Sequence, residues 1–238
     1  MDIVIVVGPN DYDVVKKQVE YTKKNIIGYR NIYLLCYDDT LKIDGCITIS
    51  EKIFPFSLDT VGEYHGKNPR NGWYLQQLLK LYAGFVIPDI LDKYLVIDAD
   101  TFFLKPTHFI ENGKGLYNYG SENHISYFIH MEKLHPELKK RDPSKSGICH
   151  HMLFDTKYVK ELFELVEHHN NDLFYKVFLK NVTDVTFAGA SEYEIYFNFM
   201  LHYHANDITI RSLNWINCGN FDNLNENLDY VSYHWYMR

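Results

Sequence analysis

The chain has 238 residues, 46% of them apolar, and a formal net charge of −7. That is enough apolar material for one sizeable core and excludes wholesale disorder. The acidic balance excludes a general affinity for nucleic acid, which needs a basic footprint. No apolar stretch reaches the roughly 20 residues of a membrane span.

Cys36, Cys46, Cys149 and Cys218 are scattered without metal-type or disulfide-type spacing, as expected of free thiols in a reducing compartment. The start carries no basic and apolar leader, so the expectation is a soluble, cytoplasmic protein. A homodimer is compatible with the sequence. The 20 tyrosines combine an apolar ring with a polar tip, which suits a sugar-binding surface, although most such rings are expected in the core.

The β-branched run over residues 2–7 ends at Gly8-Pro9-Asn10 and predicts a buried strand with its turn. Residues 11–27 predict a helix capped by Asn10 or Asp11. Strands are predicted at 31–37, ending at Asp38-Asp39, and at 46–49. This β-α-β-β opening predicts an α/β domain with a largely parallel sheet. Leu75, Leu78, Leu79, Tyr82 and Phe85 follow helical spacing over 72–86. Residues 94–97 predict another buried strand.

Strands are next predicted at 116–119 and 127–131, a polar loop over 135–147, and a strand at 152–155. Helices follow at 156–169, 173–180 and 191–204. The last opens on Ser191-Glu192-Tyr193-Glu194, a capping-box pattern. A strand at 208–213 and an aromatic tail bearing His234 complete the chain. No repeat or low-complexity linker interrupts it, so one domain is predicted.

The strand at 94–97 runs straight into Asp98-Ala99-Asp100. Ligands of open α/β sheets bind outside the carboxyl ends of the strands. In extended backbone, residues i and i+2 point the same way, so Asp98 and Asp100 can face one ion. A hard divalent cation on carboxylate oxygens stabilises charge that develops on a diphosphate leaving group. The same tripeptide also serves as a plain turn cap.

With these features in this order, the chain resembles the GT-A-fold glycosyltransferases, in particular the small soluble enzymes of bacterial polysaccharide clusters and large DNA viruses. The matching features are a β/α opening, Asp98 and Asp100, the loop glycine at Ser146-Gly147, Glu192 and Glu194 at a late helix start, and His234. The resemblance implies a GT-A-like, Rossmann-type three-layer α/β/α fold. Residues 1–104 would form its nucleotide-sugar-binding half and residues 105–238 its acceptor-binding half.

The resemblance also implies a sugar transfer from a nucleotide-diphosphate sugar, a UDP-sugar by default, to a glycan or other hydroxyl acceptor. Asp98 with Ala99 would face the ribose and the metal. Asp100 and His234 would be metal ligands, and the imidazole favours Mn²⁺ over Mg²⁺. Val7, Gly8, Pro9 and Asn10 would hold the base and ribose. Arg70 would reach the diphosphate, and Lys80 would contact phosphate or sugar. Glu192, with Glu194 second, would be the general base that an inverting transfer needs. His150 and His151 would line the acceptor pocket.

One departure stands out. Inverting members carry Asp directly after the Glu, where this chain has Tyr193, which leaves a retaining mechanism open. Two other readings fit the residues. A haloacid-dehalogenase-like phosphatase would use Asp98 as nucleophile, but its motif sits near the chain start and needs a downstream acidic pair, whereas Asp38-Asp39 lies upstream. A non-catalytic module of the same fold would bind nucleotide-sugar or glycan without turnover.

Overall fold

The structure is a computed structural model and describes residues 1–37, 39–222, 224–234 and 237. In chain order its main elements are β1 (Asp2–Val7), α1 (Tyr12–Asn25), β2 (Ile32–Cys36), β3 (Ile47–Ser50), α2 (Leu58–His65), α3 (Asn71–Val86) and β4 (Lys93–Ile97). Then follow β5 (Thr101–Phe103), β6 (Lys114–Asn118), α4 (Ile125–Leu134), β7 (His151–Asp155), α5 (Thr156–Asn170) and α6 (Phe174–Lys180). The last are α7 (Glu192–Tyr203), β8 (Ile208–Arg211), β9 (Trp215–Cys218) and β10 (Tyr230–Tyr233).

β1 is apolar at nearly every position because both of its faces are buried. Val4 and Val6 pack with Leu35, Val96 and the α3 residues Leu75, Leu78 and Leu79. Ile3 and Ile5 pack on the opposite face with Leu34, Ile97 and the α1 residues Val15 and Val19. Burying a Val, Ile or Leu side chain contributes about 1.5–3 kcal/mol, so this two-sided strand anchors the domain.

The five-stranded sheet has the order β7-β4-β1-β2-β3. Its last four strands run parallel, with Ile3 opposite Ile32 and Ile3 opposite Leu95. β7 is antiparallel to β4, with Met152 opposite Val96. The architecture is mixed α/β with a mostly parallel central sheet between layers, as expected. Its fifth strand comes from residues 151–155, well past the D-x-D segment.

A smaller sheet, β9-β10-β5, flanks the α1 side. α1 is tied to it by buried amides: Gln18 Nε2 donates to Thr101 O at 3.1 Å and Asn25 Nδ2 to Phe103 O at 2.6 Å. Among the described residues, no helix is long and apolar enough to cross a membrane.

Several elements differ from expectation. The strand predicted at 127–131 is helix α4. Its buried residues, Tyr127, His130, Met131 and Leu134, are spaced i, i+3, i+4 and i+7, a helical period longer than the short apolar run suggested. α2 went unpredicted; Ser57 and Thr60 form its capping box. The chain enters α1 through a single 3₁₀ turn at Pro9–Asp11, and neither Asn10 nor Asp11 caps α1 through its side chain. α1 stops at Asn25 because Ile26–Ile27 pair in parallel with Thr107–His108. The aromatic tail contains strand β10. Asp38 of the Asp38-Asp39 pair, and Trp235 and Tyr236 beside His234, lie outside the described residues.

Three histidines are buried in this core. His65 and His130 each place Nε2 at the last carbonyls of α6, Leu179 O at 3.0 Å and Phe178 O at 2.9 Å. Burial holds both pKa values down, that of His130 to about 4, and burial with the nearby Arg211 charge holds His151 at about 3. Below the ordinary histidine pKa the unfolded chain therefore binds protons that the native state refuses. Stability is expected to be full above about pH 6.5 and to fall as pH drops towards 4, by up to ~1.4 kcal/mol per pH unit per histidine. Urea midpoints at pH 7.5, 6 and 5 check this; a flat profile would contradict it.

Candidate active site

A cavity of about 890 Å³ opens at the carboxyl ends of β1 and β4. That size and position suit a ligand site of an α/β sheet. The end of β1 supplies Val7, Gly8, Pro9 and Asn10, and the end of β4 supplies Asp98, Ala99 and Asp100. Arg70 lies just before α3, and Trp73, Gln76 and Lys80 share one face of that helix at i, i+3 and i+7. Ile148 and His150 come from the turn into β7, Ser191, Glu192 and Tyr193 from the start of α7, and His234 from the end of β10.

Main-chain hydrogen bonds explain the convergence. Asp98 N donates to His150 O at 2.9 Å, and Thr101 N closes a turn onto Asp98 O at 2.9 Å. β10 then lies against β5, with Val231 opposite Phe102. Tyr233 N donates to Asp100 O at 2.7 Å, which brings the next residue, His234, to the D-x-D segment.

Lys80 is the electrostatic centre. Its Nζ donates to Asp98 Oδ1 at 2.6 Å and Glu192 Oε1 at 2.8 Å, and its side chain is only 3% exposed. The Tyr193 hydroxyl donates to Asp98 Oδ1 at 2.7 Å, and His150 Nδ1 lies 3.4 Å from Asp98 Oδ2. Burial opposes the charge on Lys80, but Asp98 and Glu192 outweigh it and raise the pKa. Burial likewise opposes the charge on Asp98, and Lys80 and His150 hold its carboxyl well below the usual range. Glu192 goes the other way: burial and the Asp98 charge raise its pKa against the stabilising Lys80. Lys80 thus clamps two carboxylates, and it is neither solvent-facing nor a cation left to grip phosphate alone.

His150 adopts a left-handed backbone, φ 62°. Such a conformation in a non-glycine residue costs about 1–3 kcal/mol and is typical of functional turns. The strain turns its ring towards Asp98, with Trp215 and His234 at ring distances of 5.0 and 5.7 Å. For His150, burial lowers the pKa, but the hydrogen bond and charge of Asp98, helped by Asp100 and Glu122, raise it above the ordinary value.

Two expected site residues stand apart from the cavity. His151 is the first residue of β7, directly after the left-handed turn at His150, and its ring goes to the core. It packs among Phe103, Phe109 and Tyr230 at ring distances of 5.1, 5.3 and 4.9 Å, a core position that cannot line an acceptor pocket. Glu194, in the first turn of α7, is fully buried. Its Oε2 accepts from Gly147 N at 3.3 Å and Asn198 Nδ2 at 2.8 Å. Ser191 Oγ does cap Glu194 N, at 3.3 Å, but the Glu194 carboxylate goes to the Gly147 loop instead of back to the helix start. Gly147 itself is fixed by space: a Cβ there would sit 2.4 Å from Tyr193 O.

The sequence did not mark one residue that supports the cavity wall and two that line it. Gln77 Oε1 accepts from Glu192 N at 3.1 Å and orients the start of α7. Tyr37, 61% exposed just past β2, and Glu122 line the cavity too. Helical spacing places Gln77 beside Lys80 and was a usable signal; Tyr37 and Glu122 lie in irregular segments and had none.

Among the described residues, no three His, Cys, Asp or Glu side chains are grouped so as to hold a metal ion as they stand. The donor types nonetheless fit one. Asp98, Asp100 and His234 line a single cavity, and the mixed carboxylate and imidazole set suits Mn²⁺ or Mg²⁺. His150 Nε2, in the same wall, is buried without a hydrogen-bond partner among the described residues.

No curated protein matches the chain in sequence. Among solved structures, mouse xyloside xylosyltransferase 1 in its apo form is similar over 100% of this chain and 98% of that one, with a TM-score of 0.51 and 10% identity. At that identity the likeness shows a shared GT-A-like fold. Residues 2–215, most of the chain, match the model of a family of unknown function, DUF6492, and the chain belongs to that family.

Proposed function

We propose that the protein is a metal-dependent glycosyltransferase that moves a sugar from a nucleotide-diphosphate sugar, with UDP as the expected nucleotide, to a hydroxyl of a glycan acceptor. The observation that carries this reading is the meeting of the β1 loop, the D-x-D carboxylates, Glu192 and His234 on one cavity at the strand ends. The fold shared with a protein named as a xylosyltransferase supports it.

On this reading Val7, Gly8, Pro9 and Asn10 hold the nucleoside, and Arg70 faces the diphosphate from the rim. Asp98, Asp100 and His234 would hold Mn²⁺ or Mg²⁺, which when bound supplies charge neutralisation for the leaving diphosphate. The acceptor oxygen bonds to the anomeric carbon, the bond from that carbon to phosphate oxygen breaks, and the nucleoside diphosphate leaves with the electron pair. Glu192 takes the acceptor proton. Its raised pKa suits a base, and Lys80 and Gln77 fix its position. The phosphatase alternative needs an acidic pair downstream of its nucleophile, and Asp38-Asp39 lies upstream of Asp98.

Thermal unfolding with UDP, GDP, CMP and their sugars, each with and without Mn²⁺, tests the reading. One nucleotide is expected to stabilise the chain only with metal, by about 2.7 kcal/mol at a hundredfold excess over Kd. Asp100→Ala is expected to lose that metal-dependent gain while melting normally without ligand. No stabilisation by any nucleotide would sink the transferase reading, and stabilisation without sugar transfer would favour a binding module.

A further inference from the structure

Beside the cavity runs a second space of about 550 Å³, within the size range of small-molecule sites. Ser121, Ser144, Ser212, Asn217, Trp215 and Glu122 are among its lining residues. Glu122 also lines the candidate active site, so the two spaces meet at this side chain. Trp215 forms part of the divide. Its indole stacks on Tyr230 at an interplanar angle of 9° and meets the His150 ring edge-on at 5.0 Å. The ring that walls the groove is thus held against a residue of the cavity.

The floor depends on Gly120, which bridges in antiparallel fashion to Ser146; a Cβ on Gly120 would lie 2.3 Å from Ile148 O. This close approach ties the groove floor to the Ile148 turn of the cavity.

The lining chemistry points to one class of ligand. A fixed indole offers a surface for the apolar face of a sugar ring, and hydroxyl and amide side chains suit its hydroxyls. Asn214 and Asn217 add side-chain amides to the lining. Glu122 is the single charged side chain among the described lining residues. Lys145 lies over the ring of the lining residue Tyr119 at 5.4 Å and is paired with Asp142. A groove whose one charged lining residue is an acid disfavours sulfated or sialylated chains.

We infer that this groove is an extended acceptor subsite for a neutral oligosaccharide, whose terminal sugar enters the cavity past Glu122 while the preceding sugars lie against Trp215. The inference rests on the transferase reading for its direction, and names the acceptor class.

The test is binding of the labelled full-length chain to a printed array of neutral, sialylated and sulfated glycans, each class ranging from one to six sugars. Neutral glycans of three or more sugars are expected to bind at least about tenfold better than the matching monosaccharides, the equivalent of one good stacking contact. Ser121→Trp and Ser212→Trp, both at exposed positions and outside the cavity lining, fill the groove. Each is expected to abolish the gain from chain length while leaving stabilisation by UDP and Mn²⁺ unchanged. Equal binding of short and long glycans, preference for anionic glycans, absence of glycan binding, or indifference to both tryptophans would overturn the proposal. The nucleotide measurement on the same preparations separates that failure from failure of the transferase reading.

Discussion

Lys80→Met is expected to destabilise the native state by about 3–5 kcal/mol, the usual consequence of removing one partner from a buried ion pair. Methionine fills the space of the lysine stem, so little of the loss comes from packing. The loss comes from Asp98 and Glu192, whose carboxylates stay largely out of water without the ammonium that now lies 2.6 and 2.8 Å from them. Lowering the pH should shrink the difference from wild type, because a protonated carboxyl tolerates burial better than a charged one. Urea unfolding at pH 7.5 and 5 measures both effects. A change under about 1 kcal/mol would mean that water reaches the clamp and screens it.

Glu192→Gln is expected to lower the rate of sugar transfer by about 10²–10⁴-fold, the range for loss of a general base. The amide keeps the shape of the side chain and an oxygen for Lys80, so the fold and the donor site should survive. The diagnostic is a split. kcat falls, while stabilisation by nucleotide and metal stays at the wild-type level. An unchanged kcat would remove Glu192 as the base and leave retention of configuration as the economical course, which the anomeric form of the product would then show by NMR. Glu194 is a poor substitute in either case, since it is fully buried and outside the cavity lining.

Much of this cavity was legible because its main supports are regular. β1 and β4 are continuous apolar runs, as strands buried on both faces must be, and each ends in residues that line the cavity. α3 shows its period plainly, but the expectation that Arg70 and Lys80 reach the site comes from the family resemblance and not from that period. The misses have separate physical origins. His150 and His151 are neighbours in sequence, but the left-handed turn at His150 leaves one ring in the cavity and the other in the core. Glu194 matched a local capping pattern and was claimed instead by the loop at Gly147, 47 residues away. The pairing of Lys80 with Glu192 was not legible, because nothing nearby in sequence reveals that a residue 112 positions away will reach it. Local pattern reports period and propensity; it carries no record of which distant element arrives to bury a side chain.

The clamp has a consequence for how the protein comes into being. Its hydrogen bonds join positions 18, 52, 95 and 112 residues apart in the chain. Contacts of such long range are made only after large loops have been closed against their entropy, and they belong to the slow end of folding. A nascent chain that has emerged only as far as β5 holds both Lys80 and Asp98, yet lacks Glu192, Tyr193 and His150, the groups that complete their pairing. The chemistry is therefore not inherited from a local motif that folds early. It arises at the close of assembly, and a chain whose C-terminal half is delayed or misdocked carries the D-x-D tripeptide without its clamp.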